Sequence, residues 1–190
     1  MTPIEELVAL LENLERAGTT VMELARHGRP EAPWTVYPDE HGVFDRKTRS
    51  QFYYHIHGSP HEAGHFHTVR LFDDHTAHLV AISVAQNGWP QALFTVNLWA
   101  IGDTYEPPAR LKRYARQFRI GLTPWDPRLV RFVNLMFEAF LPEILRLQDT
   151  KEETFSTYRT TRPGADPFED RSLEVLSRAA LDLGPRLSFS

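Results

Sequence analysis

The chain has 190 residues, no cysteine, 42% hydrophobic residues and a formal net charge of -4. That size suits a single domain spanning 1–190 with its own core, and the composition argues against disorder. The lack of cysteine excludes disulfides, thiolate metal ligands and a cysteine nucleophile. It also fits a cytoplasmic setting, and the mild negative charge gives no global pull toward nucleic acid or anionic membrane.

Thr2-Pro3-Ile4-Glu5 is a capping-box pattern with proline at the first helical position. Ile4, Leu7, Val8, Leu11, Leu14, Val21 and Leu24 follow helical spacing, which predicts a helix over 3–27, bent or broken at Gly18-Thr19-Thr20. This segment carries acids and lacks a basic n-region, so it does not read as a signal peptide. No apolar run reaches transmembrane length. Residues 29–49 read as a long loop, with a short strand at Trp34 to Tyr37.

The character then changes. Gln51–His57, His65–Phe72, His78–Gln86 and Gln91–Trp99 are rich in aromatic and β-branched residues. Asn87-Gly88 between two of these runs is a strong hairpin signal, and Asp73-Asp74-His75-Thr76 reads as a second turn. A four-stranded antiparallel meander over 50–100 follows. Helices are predicted at 107–118, 126–148 and 170–183, the second apolar nearly all round and kinked by Pro142. The fold class is α+β, with the sheet packed against N-terminal and C-terminal helices.

Seven of the nine histidines fall in one stretch: His55, His57, His61, His65, His67, His75 and His78. Imidazole is the commonest protein metal ligand. In strands, His55 and His57 share a face, as do His65 and His67. Pairing His57 opposite His65 and His55 opposite His67 brings four imidazoles together as ligands for Zn²⁺ or Fe²⁺. A slip of one residue would separate the two pairs. Glu62 on the connecting loop becomes the candidate acid/base and His61 a candidate shuttle. His78 lies on the third strand in an unfixed register.

A rival reading puts Ser59-Pro60-His61-Glu62 at a helix start, making His61-Glu62-Ala63-Gly64-His65 the zinc motif of a metallopeptidase. His75, His78 or Glu106 would then be the third ligand. The strand-forming residues after Gly64 weigh against it. A cupin-like barrel lacks its glutamate shortly after the first histidine pair, and four strands are few for a barrel. A hydrogen-bonded histidine cluster without metal, in a non-catalytic ligand-binding or structural protein, is a third possibility.

Tyr53, His55, His57 and then Gly64, His65, Phe66, His67 form the pieces YxHxH and GHFH. Together with HLVAIS and NGWPQALFTVNLW they resemble a bacterial family of the "domain of unknown function" type, over about residues 51–103 and extending to the whole chain. The resemblance implies a β-hairpin setting for the histidines and supplies no activity.

Arg110, Lys112, Arg113, Arg116 and Arg119 form a basic face on the predicted helix after Pro107-Pro108. It reads as a solvated face, with an anion-binding edge as the sharper alternative. The four tryptophans read as core or pocket lining, and Asn97 and Asp103 stand near the end of the fourth strand. Taken together, the sequence predicts a metal-binding protein, either a metalloenzyme acting on a small-molecule substrate or a non-catalytic binder, with no nucleic-acid or membrane partner.

Overall fold

The computed structural model describes residues 1–58 and 61–183. The chain begins with α1 (Pro3–Arg16) and α2 (Val21–Arg26), each opened by a threonine capping box. Gly18, at φ 68°, takes the left-handed turn between them, so the predicted helix over 3–27 is two helices. Two short strands, β1 (Val36–Tyr37) and β2 (Val43–Asp45), precede the predicted meander. The meander itself is β3 (Ser50–His55), β4 (Gly64–Leu71), β5 (Thr76–Val84) and β6 (Pro90–Val96).

A four-residue helix, α3 (Leu98–Ile101), follows, then α4 (Pro108–Gln117) and the long α5 (Pro127–Thr161). Helix α5 runs well past the predicted end at 148. It breaks at Phe140 (φ -120°, ψ 21°), two residues before Pro142. Proline cannot donate to the helical ladder and its ring crowds the preceding turn, so the break falls there.

The predicted helix at 170–183 does not form. Residues 175–180 are strand β7 (Val175–Ala180), paired antiparallel with β6. The sheet order is β1-β3-β4-β5-β6-β7, with β2 also on β3. Among the described residues, the four-stranded expectation thus becomes seven strands in one antiparallel sheet, with helices packed against it.

The main core lies on one face. Phe52, Tyr54, Phe66, Val80, Ile82 and Leu93 meet α1, α2, α4 and α5 there, and the Phe66 ring sits 5.4 Å from that of Phe132. Strand alternation sends the intervening residues to the opposite face. That second face carries the histidines and a small apolar cluster of Ala81, Phe94 and Val96 under Ala100 and Ile101 of α3. No described helix is long and apolar enough to cross a membrane.

Candidate metal centre

The β3–β4 hairpin sets the site. Its register pairs His55 with His65 and Tyr53 with His67. The expected pairing of His57 with His65 and His55 with His67 is therefore wrong by two residues. A two-residue shift preserves side-chain parity, so the imidazoles still share a face. His57 lies just beyond the end of β3 and folds back, its ring 4.9 Å from that of His65 and 4.5 Å from that of His55. One ring nitrogen from each of His55, His57, His65 and His67 lies within 4.8 Å of the others, close enough to hold a metal ion.

Gly64 lets the hairpin close. Its φ is +155°, and an added Cβ would meet the Tyr54 hydroxyl at 2.5 Å and the His55 carbonyl oxygen at 2.6 Å. The missing side chain leaves room for the Tyr54 hydroxyl to donate to the Ala63 carbonyl at 2.9 Å. That anchors the turn from which Glu62 reaches inward.

The helical reading of His61 to His65 is not met. His61 is in a turn, Glu62 and Ala63 are irregular, and Gly64 already belongs to β4. The proposed helix start at Ser59 and Pro60 lies outside the described residues. His61 is exposed, and its carbonyl accepts from the Gln91 side chain at 2.8 Å. His75 stacks on Phe72 with rings 4.4 Å apart, and pairs with Asp74 and Glu106. Neither His75 nor Glu106 joins the four-histidine group.

Two of the four imidazoles have one nitrogen held from outside the group. His65 Nδ1 lies 2.7 Å from Glu62 Oε1, and Glu62 Oε2 accepts from Ser83 Oγ at 2.5 Å. His67 Nδ1 lies 3.1 Å from His78 Nε2. The His55 ring lies 6.1 Å from that of Trp34, and its Nε2 is buried without a partner. Between the held rings, His65 Nε2 and His67 Nε2 approach to 3.0 Å.

His78 reaches the site through a β-bulge. The β4–β5 register shifts between Thr68 and Val69, so Thr68 faces Val80 while Val69 faces His78. The extra residue, Leu79, turns toward the helices together with Val80. Without the bulge, counting back from Ser83 and Ala81 would put Leu79 on the histidine face and His78 in the helix-side core. Asp103 fixes the position further by accepting the His78 backbone N–H at 2.6 Å.

The electrostatics favour the neutral form of His55, His57, His67 and His78. Burial, reinforced by His57 and His65, pulls His55 down to about 4. Burial holds His57 below the usual histidine range, and His67 and His78 well below it. Burial alone would raise Glu62, but its hydrogen bonds to His65 and Ser83 prevail and keep it an anion. A carboxylate can only accept, so His65 Nδ1 carries a proton toward Glu62. A neutral His67 has one N–H and one lone pair, so its bonds to His65 and to His78 run in the same direction along the chain.

The four histidines border a cavity of about 320 Å³, lined as well by Phe94 and Val96 of the same sheet face and by Trp99 and Ile101 of α3. Trp34 stands at its edge, its ring 4.6 Å from that of His57. Beside it, His61, Glu62, Glu174 and Arg178 border a second depression that shares His57 and His65. Sequence reasoning missed Ser83 and the Phe94 wall as parts of the site. Ser83 was legible in principle, since it shares parity with Ala81 on a strand already identified, but its contact with Glu62 depends on the loop.

Other candidates have structural duties. Asn97 caps α3 and donates to the carbonyls of Pro167 and Leu173. On the basic face, Arg110, Lys112 and Arg119 pair with Glu106, Asp149 and Glu138, which matches the solvated-face reading.

No curated protein matches the chain, and no solved structure matches it. A family model, that of a domain of unknown function (DUF6969), matches residues 2–181. The match runs from the cap of α1 to just past β7, and the chain belongs to the DUF6969 family.

Proposed function

We propose that this chain binds a divalent transition metal, Zn²⁺ or Fe²⁺, through His55, His57, His65 and His67, and presents it to a small molecule as a metalloenzyme. The observation that carries the reading is the outward anchoring of His65 and His67 by Glu62 and His78 within the four-histidine group. Ligating histidines almost always have their second nitrogen held in this way, because it fixes tautomer and ring direction. Neutral imidazoles also keep their lone pairs available at neutral pH.

Both oxygens of Glu62 are engaged, one by His65 and one by Ser83. Its role in this reading is to orient His65 and raise its basicity, with acid/base work limited to the proton it shares with that ring. His61, on the rim of the depression bordered by Glu62, is the group placed to exchange protons with solvent. The cavity bordered by all four histidines supports an open coordination position, which a catalytic ion needs. Four imidazoles closing around Zn²⁺ would instead make a non-catalytic site.

Substitution with Co²⁺ tests this. A visible absorption band should appear with one equivalent and vanish in His57→Ala/His65→Ala. Azide should shift the band if a position is open. A band insensitive to azide supports the non-catalytic binder, and no band at all contradicts metal binding.

A further inference from the structure

We infer that the cavity beside the four histidines binds a small aromatic monocarboxylate, with its ring against the apolar wall and its carboxylate toward the histidines. The inference deepens the metal-binding reading above and rests on it.

Charge sets the head group. The donor set is four imidazoles, which ligate a metal only as neutral groups, with no carboxylate among the ligands. A divalent ion there keeps both positive charges in a largely apolar surrounding, where uncompensated charge is costly. Glu62 supplies one compensating charge through His65. Among the described residues the lining carries one further carboxylate, Glu174, which is exposed at the edge where water screens it, so a negative charge within the cavity remains to be supplied. A monoanionic oxygen donor completes the balance. Arg178, whose guanidinium lies over the Phe94 ring at 5.5 Å, borders the neighbouring depression and puts a positive charge close to the cavity.

Shape sets the body. The volume of about 320 Å³ is at the small end for ligand pockets, room for one ring and its substituents. The walls are unusually aromatic: Tyr53, Phe94 and Trp99 border it, and Trp34 stands at the mouth. Flat rings pack on such surfaces by edge and face contacts. Trp34 is 71% exposed, and its backbone is held at φ 62°, a conformation costly for a bulky residue. Its backbone N–H donates to the Ile56 carbonyl at 2.9 Å, and its ring meets that of His57 edge to face at 4.6 Å. An exposed, strained tryptophan gains most from a ligand that covers it.

Benzoate and its neutral isostere benzamide test the inference, with binding followed by tryptophan fluorescence of the full chain. Benzoate should bind the Zn²⁺-loaded protein at least about tenfold more tightly than the chelator-treated protein. Benzamide should show no such dependence. Ala100→Phe, which fills the apolar wall, should retain Zn²⁺ and lose benzoate; a shift of the Co²⁺ band by benzoate in the wild type provides the same reading without a variant. Full Zn²⁺ uptake with no preference for benzoate over benzamide overturns this inference alone. Failure of Zn²⁺ uptake overturns the metal reading, and this inference with it.

Discussion

Glu62 and His65 are joined side chain to side chain, Oε1 to Nδ1 at 2.7 Å, across an irregular turn into β4. The three-residue spacing that suggests a helical zinc motif serves a different purpose here. It lets a loop carboxylate reach back to the outward nitrogen of a strand-borne imidazole. Glu62→Gln keeps an acceptor at that position and removes the charge. We expect metal affinity to fall by about 10–100-fold, with little change in melting temperature, measured by competition with a chromophoric chelator. Unchanged affinity would show that the pair does not serve a metal ligand.

Gly64 is the backbone position on which the hairpin depends. Gly64→Ala places a Cβ against the Tyr54 hydroxyl and the His55 carbonyl, at a positive φ that disfavours any side chain. The expected loss is on the order of 3 kcal/mol, read from urea denaturation. A loss under about 1 kcal/mol would mean the turn relaxes freely.

Among the described residues, the His78 ring meets the four-histidine group through its hydrogen bond to His67. His78→Leu leaves His67 Nδ1 buried without its partner, at a cost of about 1–3 kcal/mol. In the wild type, ligation through His67 Nε2 needs that lone pair free, so the His67 proton sits on Nδ1 and is donated to His78 Nε2. Nitrogen-15 spectra of the imidazoles should show His67 as the Nδ1–H tautomer once Zn²⁺ is added. A His67 that keeps its proton on Nε2 in the presence of Zn²⁺ would exclude Nε2 ligation by that residue.

Acid should destabilise the metal-free protein through its buried histidines. His55 is held at about 4, and His67 and His78 well below the ordinary value. Each binds its proton first in the unfolded chain, at about 6.5. The unfolded state therefore holds more protons between pH about 6.5 and 4, and stability falls as pH is lowered through that window. Above it these groups contribute no pH dependence. Thermal melts of chelator-treated protein should show a declining midpoint from about pH 6.5 downward, and a flat profile would contradict neutral burial.

Much of this arrangement was legible in the sequence. Parity alone places His55 with His65 and His67 on one face, and that conclusion survives the two-residue error in register because the strand period is two. The bulge at Thr68/Val69 left no comparable mark. Nothing in Thr76–Val84 announces that Leu79 and Val80 turn the same way, yet that step decides where His78 points.

Strand β7 was misread because Leu176, Arg178 and Ala179 favour helix locally. Pairing with the otherwise open edge of β6, and the Ser177 hydroxyl donating to the Leu147 carbonyl, override that preference. The extension of α5 to Thr161 depends on packing against β7, which was likewise hidden.

The most direct measurement is metal content by mass spectrometry on protein purified without a His-tag, wild type beside His57→Ala/His65→Ala. The account predicts close to one equivalent of a first-row divalent metal per wild-type chain and its loss from the folded double variant. A folded wild-type protein that takes up no metal, or a double variant with unchanged stoichiometry, would contradict the four-histidine site.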